Sequence, residues 1–312
     1  MANHSTVPVV SGIAAANAQA WRTERRIALL VVIVPFLSLI GAIVLLWDRG
    51  IRPVDLTMLV AGYALTVVAI GVGFHRLVSH KAFSTPPIVR LALCALGSMA
   101  AQGPVLYWAA IHRRHHACAD RPGDPHSPYL AEHGTLDYVQ GFWHAHTGWL
   151  FNPDVTDWVH YVPDLLRDRA LFRVSRMYGW LVGLGLLIPG AIGFAVTPTP
   201  SGFLLGLLWG GLVRIAVTHH TTWSVNSICH MFGTRPYRVR DQSRNNFVIA
   251  VFTFGEGWHN NHHAFPSAAL HGFKWWQVDI SGYLIRLLRL CRLAWDLKLP
   301  LAEKIAGRGE LR

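Results

Sequence analysis

Apolar positions along this chain come in long uninterrupted runs rather than in the short periodic stretches of a soluble domain. Ile27 to Trp47 carries no charged residue and follows Arg22, Arg25 and Arg26. At about 1.5 Å per residue it can cross a hydrocarbon core of about 30 Å. A second uncharged run, Leu56 to Phe74, ends directly on His75. A third, Met177 to Val213, is too long for one helix and is cut by Thr197-Pro-Thr-Pro-Ser-Gly202, so it predicts a pair. Together these runs predict an all-α integral membrane protein with four transmembrane helices, about 27–47, 55–75, 178–196 and 202–220, arranged as two hairpins. The basic flank before Ile27 places the chain ends of both hairpins on the cytoplasmic side, in a bacterium the inner face of the inner membrane.

The remaining segments predict a cytoplasmic helical cap, about 76–176 and 221–312, so that residues 27–312 form one membrane domain behind a tail of residues 1–26. Leu91 to Ile111 is also uncharged, but it begins at Arg90 and contains Gln102-Gly-Pro104. A crossing there would put His112 to His116 on the opposite side from His75 and His80, so the segment is expected to be broken and interfacial or re-entrant. Asp120-Arg-Pro-Gly-Asp-Pro-His-Ser-Pro128 is the least helical part of the cap. Leu284 to Leu293 alternates leucines with Arg286, Arg289 and Arg292, which predicts an amphipathic basic helix on the anionic leaflet.

Composition supports this picture: only 14% of residues are charged, against about 25% in soluble domains. The net charge of +11 suits lipid headgroups or an acidic substrate carrier, and its spread through an apolar chain excludes a nucleic-acid binder. Residues 1–20 have neither a basic nor an apolar leader region and are expected to be a loose tail. Cys94, Cys118, Cys229 and Cys291 lie far apart with no CxxC pair, which predicts reduced, structural thiols.

Chemistry enters through histidine spacing. His112, His115 and His116 stand at i, i+3 and i+4, and His259, His262 and His263 repeat that spacing, so each trio shares one helical face. His75 and His80 are five apart, which an ideal α-helix would set roughly 140° apart; the turn must break there or the two must serve different ions. Asn226 and His230 form a fourth cluster, on a helical stripe with His219 and Trp223. Nine histidines in four clusters exceed what one ion takes and imply two. Imidazole suits iron, copper or zinc alike.

These clusters, in this order, resemble the three histidine boxes of the membrane-bound fatty-acyl desaturases, of the stearoyl (delta-9) type and its bacterial relatives, from about Leu56 to about Pro266. The resemblance implies a pair of iron ions that activate dioxygen. Their ligands would be His75, His80, His112, His115, His116, His230, His259, His262 and His263, with Asn226 reaching an ion through a water. It implies a cis double bond introduced into a saturated acyl chain carried on CoA, lipid or acyl carrier protein. It also implies a separate electron donor, a ferredoxin or cytochrome b5-like protein with an NAD(P)H reductase, since no GxGxxG stretch is present for a nucleotide. Glu256, Asp120 and Asp124 are candidate partners for the outer N–H groups of the ligands, or else plain surface carboxylates. Trp223, in a TWxxNS stretch, would wall the acyl tunnel or sit at the membrane interface. Where animal acyl-CoA enzymes carry an Arg-Asp pair before the second box, Ala110-Ile111 stand here, which weighs against that route of CoA recognition.

His126, His133, His144, His146, His160, His220 and His271 lie outside the boxes and are expected to be loop or surface residues; His219 could support the site from its stripe. Hydroxylation, or a further dehydrogenation to an acetylenic or terminally unsaturated product, is the alternative within the same chemistry. From a different class, a metal transporter or sensor would need histidines along the spans, and the three uncharged runs contain none.

Overall fold

The computed structural model describes residues 10–129 and 135–307; residues 1–9 of the tail and His133 lie outside them. The chain is mostly helical. Helices α1 (Ala18–Arg49) and α2 (Pro53–Val68) come first, and a π-helical segment, Ala69–Ser79, continues α2. Next are α3 (Pro87–Ser98), α4 (Val105–Cys118) and α5 (Thr135–His146), then the short α6 (Trp158–Tyr161), α7 (Pro163–Leu166) and α8 (Arg169–Arg176). Helix α9 (Tyr178–Val196) precedes α10 (Pro200–Gly206), which runs through a second π segment, Leu207–Val213, into α11 (Arg214–Met231). Four further helices follow: α12 (Phe247–Phe252), α13 (His259–Ala264), α14 (Ile280–Leu290) and α15 (Ala302–Gly307).

Among the described residues, four helical stretches are long and apolar enough to cross a membrane: Ala18–Trp47, Pro53–Ser79, Tyr178–Val196 and Pro200–Met231. They correspond to the four predicted spans, with the first, second and fourth longer than their uncharged runs. The first starts nine residues early because Asn17 caps it, its side-chain oxygen accepting the N–H groups of Gln19 and Ala20. The segment expected to be a tail is therefore partly built in: β1 (Ile13–Ala15) pairs antiparallel with β2 (Asp154–Thr156). Ile27, Leu30, Leu37, Val44, Ile188 and Val196 are all exposed, apolar surface on α1 and α9 that hydrocarbon would cover.

The uncharged run Leu91–Ile111 is broken as its Gln-Gly-Pro predicts. Helix α3, at 12 residues, is too short to span, and between α3 and α4 both Ala101 and Gly103 take positive φ. The carbonyls freed by the break are taken up by α11. Arg214 donates to the Met99 oxygen at 3.0 Å, and His219 Nε2 lies 2.8 Å from the Ala100 oxygen. His219 thus holds the bend rather than the histidine clusters.

Every residue of the π segment Ala69–Ser79 is buried. Phe74 and Val78 pack with Leu106, Ala109 and Leu165, while Val72 and Leu77 pack on the other side with Phe83 and Ile285. This segment is the axle on which α4, the loop before α14, and α14 itself are mounted.

Candidate metal centre

The π segment resolves the awkward spacing of His75 and His80. In a π-helix the repeat is i→i+5, and the His80 N–H does donate to the His75 carbonyl at 3.1 Å. Residues five apart are then stacked instead of splayed, so the two imidazoles face the same way. Both fall in one group of candidate ligands.

Opposite them, α4 presents His112, His115 and His116 from one face, and α13 presents His259, His262 and His263. Helix α13 is only six residues long and its place is set by its own sequence. Gly255 takes φ +116°, and a Cβ on Gly257 would come within 2.1 Å of the Ala250 nitrogen, so the turn into α13 requires glycine twice. Within the helix, Asn260 is fully buried and bonds the backbone of Tyr237 and Ser243. Asn261 likewise bonds Asn245, Gln277 and the His271 carbonyl. The two asparagines between the histidines therefore bolt α13 to the loops on either side.

Nine imidazoles gather into two groups, within each of which the candidate ligand atoms lie within 4.8 Å of one another: His75, His80, His112, His116 and His262, and His115, His230, His259 and His263. In the first, Nε2 atoms approach at 2.7 Å (His80–His112), 2.9 Å (His262–His116) and 3.1 Å (His75–His262). In the second they approach at 3.0 Å (His230–His259) and 3.3 Å (His115–His263). Nitrogens bound at right angles about 2.1 Å from one ion lie about 3.0 Å apart, so the spacing fits ligands converging on a shared cation. The groups are neighbours, with the rings of His116 and His263 4.6 Å apart.

Electrostatics favour the same state. Burial, reinforced by neighbouring imidazoles, holds His112, His116, His259 and His262 well below the ordinary histidine value, so they are neutral with lone pairs free. Four carboxylates take the outer ring nitrogens. Nδ1 of His230 lies 2.8 Å from Asp120, that of His115 2.9 Å from Asp124 and that of His263 2.9 Å from Asp241, and Glu256 takes that of His75. Burial alone would raise Asp124 and Asp241, but their histidine partners outweigh it and hold both below the usual carboxylate range. Such pairs fix the tautomer and orientation of a metal-binding ring.

Asp120, Asp124 and Glu256 thus sit where their proximity to the boxes suggested. Glu256, half-buried, touches His75 and is clamped by Arg76 at 2.9 Å, which also grips Asp279 at 2.8 Å. Asp241, Arg76 and Asp279 belong to this network, and no spacing pattern flags them. Asp241 comes from an Arg-rich loop 22 residues before its partner. Trp108 was missed too: it stacks on His112 at 5.0 Å and walls the first group. Trp223 is buried, but its nearest rings are His219 and His220 rather than the nine imidazoles. Asn226, half-buried, lies one turn before His230 on α11.

Of the histidines outside the boxes, His126 and His271 are buried against the groups, 4.4 Å from the His115 ring and 4.5 Å from the His262 ring. His146 bonds Ser227 and His220 apart from them. The four cysteines are free.

A family model described as fatty acid desaturase matches residues 53–279. The chain is 44% identical over 278 residues to a hex-5-enoyl-[acyl-carrier protein] acetylenase of Moorena producens, covering 88% of this chain and 87% of that one. It is 37% identical over 244 residues to an sn-1 stearoyl-lipid 9-desaturase of Synechocystis, covering 77% and 70%. A protein of the same description from Anabaena variabilis is 37% identical over 235 residues, covering 74% and 79%. With two groups of buried and half-buried imidazoles at ligand spacing and a family match across both, the chain belongs to the fatty acid desaturase family and is an oxidoreductase of that class.

Proposed function

We propose that the protein holds two iron ions and uses them with dioxygen to introduce a cis double bond into an acyl chain. His75, His80, His112, His116 and His262 would hold one ion and His115, His230, His259 and His263 the other, with Asn226 reaching the second through a water. The observation that carries this is the pairing of two adjacent all-imidazole groups, four of whose nine rings hold a carboxylate on the outer nitrogen. Five imidazoles in one group exceed the four ligands of a typical zinc site, which favours iron.

When bound, the iron pair supplies the oxidising power to remove hydrogen from unactivated methylenes. The overall balance is one CH2–CH2 unit, one O2, two electrons and two protons giving one CH=CH unit and two waters. A separate donor delivers the electrons: a ferredoxin, or a cytochrome b5-like protein with its NAD(P)H reductase. The chain's own residues hold the ligand rings neutral and oriented, Glu256 by way of His75, and exclude water with Trp108 and the buried π segment. Trp223 would line the acyl tunnel.

In the membrane, the four apolar helices would cross as two hairpins, with the cap and both histidine groups on the cytoplasmic face of the inner membrane. Arg22, Arg25 and Arg26 before the first span, and the exposed Leu287 and Leu290 beside Arg286 and Arg289 on α14, support that orientation.

A second reading, acetylenic or terminal dehydrogenation of a chain on acyl carrier protein, is favoured by the higher identity to the acetylenase than to the lipid desaturases. Mass spectrometry of products formed from acyl-CoA, acyl carrier protein and phospholipid supplied in parallel tests both. A new internal cis alkene supports the first reading, an alkyne or a terminal alkene the second, and a hydroxy acid without any of these rejects both.

A further inference from the structure

Among the box histidines, His262 occupies the central position of the first group, its Nε2 within 3.1 Å of His75 and 2.9 Å of His116. For Nε2 to offer a lone pair to a metal, the ring proton must sit on Nδ1, and that N–H needs an acceptor. His75, His115, His230 and His263 each have a carboxylate there. His262 has none: its Nδ1 is buried with no hydrogen-bond partner. A buried N–H left without an acceptor is unfavourable.

Beside it stands His271, in the loop between α13 and α14, 1% exposed, with both ring nitrogens buried and unpaired. Its ring centroid is 4.5 Å from that of His262 and 5.3 Å from that of His75. Its Nδ1 is 3.5 Å from Glu256 Oε2, the carboxylate that holds His75. The loop is fixed at both ends of this residue: the His271 N–H donates to Asp279 at 2.7 Å, and its carbonyl accepts from Asn261 at 2.7 Å. An apolar residue would fill this place without leaving two buried nitrogens unpaired, so a packing role does not explain the choice of histidine.

We propose that His271 is the outer partner of His262, acting through a water shared between His262 Nδ1–H and one ring nitrogen of His271 while its other nitrogen turns toward Glu256. Glu256 then governs two ligands of the same ion: His75 by contact and His262 through His271. His271 is a positioning residue, and the proposal rests on the two-ion reading above. It predicts that the ion in the His75 group is the one that loosens when His271 is changed.

The test uses the full-length, iron-loaded protein in detergent. The rate at which each ion passes to a ferrous chelator, and the Mössbauer spectrum, are compared for wild type, His271→Leu and His271→Gln. Leucine removes both nitrogens and glutamine restores a polar partner. One ion of His271→Leu should leave at least about 10-fold faster than in wild type, with a changed quadrupole doublet for one iron only, and His271→Gln should recover most of that loss. Release of both ions at the wild-type rate, equal effects of leucine and glutamine, or failure of both variants to fold would each overturn the proposal. A wild-type protein that holds fewer than two ions would instead sink the two-ion reading.

Discussion

The Asp241 carboxylate sits 2.9 Å from Nδ1 of His263, although the two come from different segments and only His263 belongs to a histidine cluster. Asp241 also accepts the N–H of Ser243, which fixes its own loop. The pair ties the Arg-rich loop after α11 to the histidine helix α13 and orients one ring of the second group. Asp241→Ala should therefore lower affinity for one ion by about 10- to 100-fold, with Asp241→Asn less affected because its amide oxygen still accepts. Competition with a graded series of chelators reads this directly; equal affinity in both variants and wild type would show that the pair is incidental.

Arg76 carries a buried charge shared by Glu256 and Asp279. Its removal leaves two carboxylates without their cation in a site closed to water. Arg76→Ala is expected to cost about 3–5 kcal/mol, beyond any loss of iron. Denaturant unfolding of the metal-free protein separates the two effects, and an unchanged midpoint would mean the network is solvated after all.

Gly257 lies where a Cβ would press to 2.1 Å from the Ala250 backbone nitrogen. Backbone cannot swing aside as a flexible side chain can. Gly257→Ala should displace α13, destabilise the fold by about 1–3 kcal/mol and loosen both ions together, since His262 and His263 serve different groups. Selective loss of a single ion in this variant would argue against a rigid shift of α13.

Acidification acts through the imidazoles. His112, His116, His259 and His262 are held well below their ordinary value in the folded chain, chiefly by burial, and return to about 6.5 on unfolding. Between those values the unfolded chain binds more protons, so stability rises with pH and levels off above about pH 6.5. His115 runs the other way, because Asp124 outweighs burial and raises it, and offsets part of the trend. The thermal midpoint of metal-free protein, followed from about pH 5 to about pH 8, should climb and then flatten. A midpoint that falls as pH rises would contradict the neutral-histidine account.

Much of this was legible before any coordinates. Ligand spacing at i, i+3 and i+4 is a local property of a helix, so α4 and α13 could be read from six histidines, and the Gln102-Gly-Pro104 interruption announced the break between α3 and α4. The spacing of His75 and His80 shows that a regular α-helical turn does not hold there, but not what replaces it: the chain is π-helical over Ala69–Ser79, and that departure carries no signal in the residues themselves. Asp241, Arg76 and Asp279 meet their partners only through tertiary folding, and a lone polar residue at long separation carries no periodic signal. Trp108 differs: it stands one helical turn before His112 on α4, a local spacing the sequence does carry.

Metal stoichiometry tests the central claim most directly. Iron and competing transition metals should be counted per chain by mass spectrometry in wild type, His112→Ala and His259→Ala, which sit in different groups. The account predicts two irons in wild type and one retained ion in each variant, with different irons lost. One ion or none in wild type, or loss of the same ion in both variants, would contradict it.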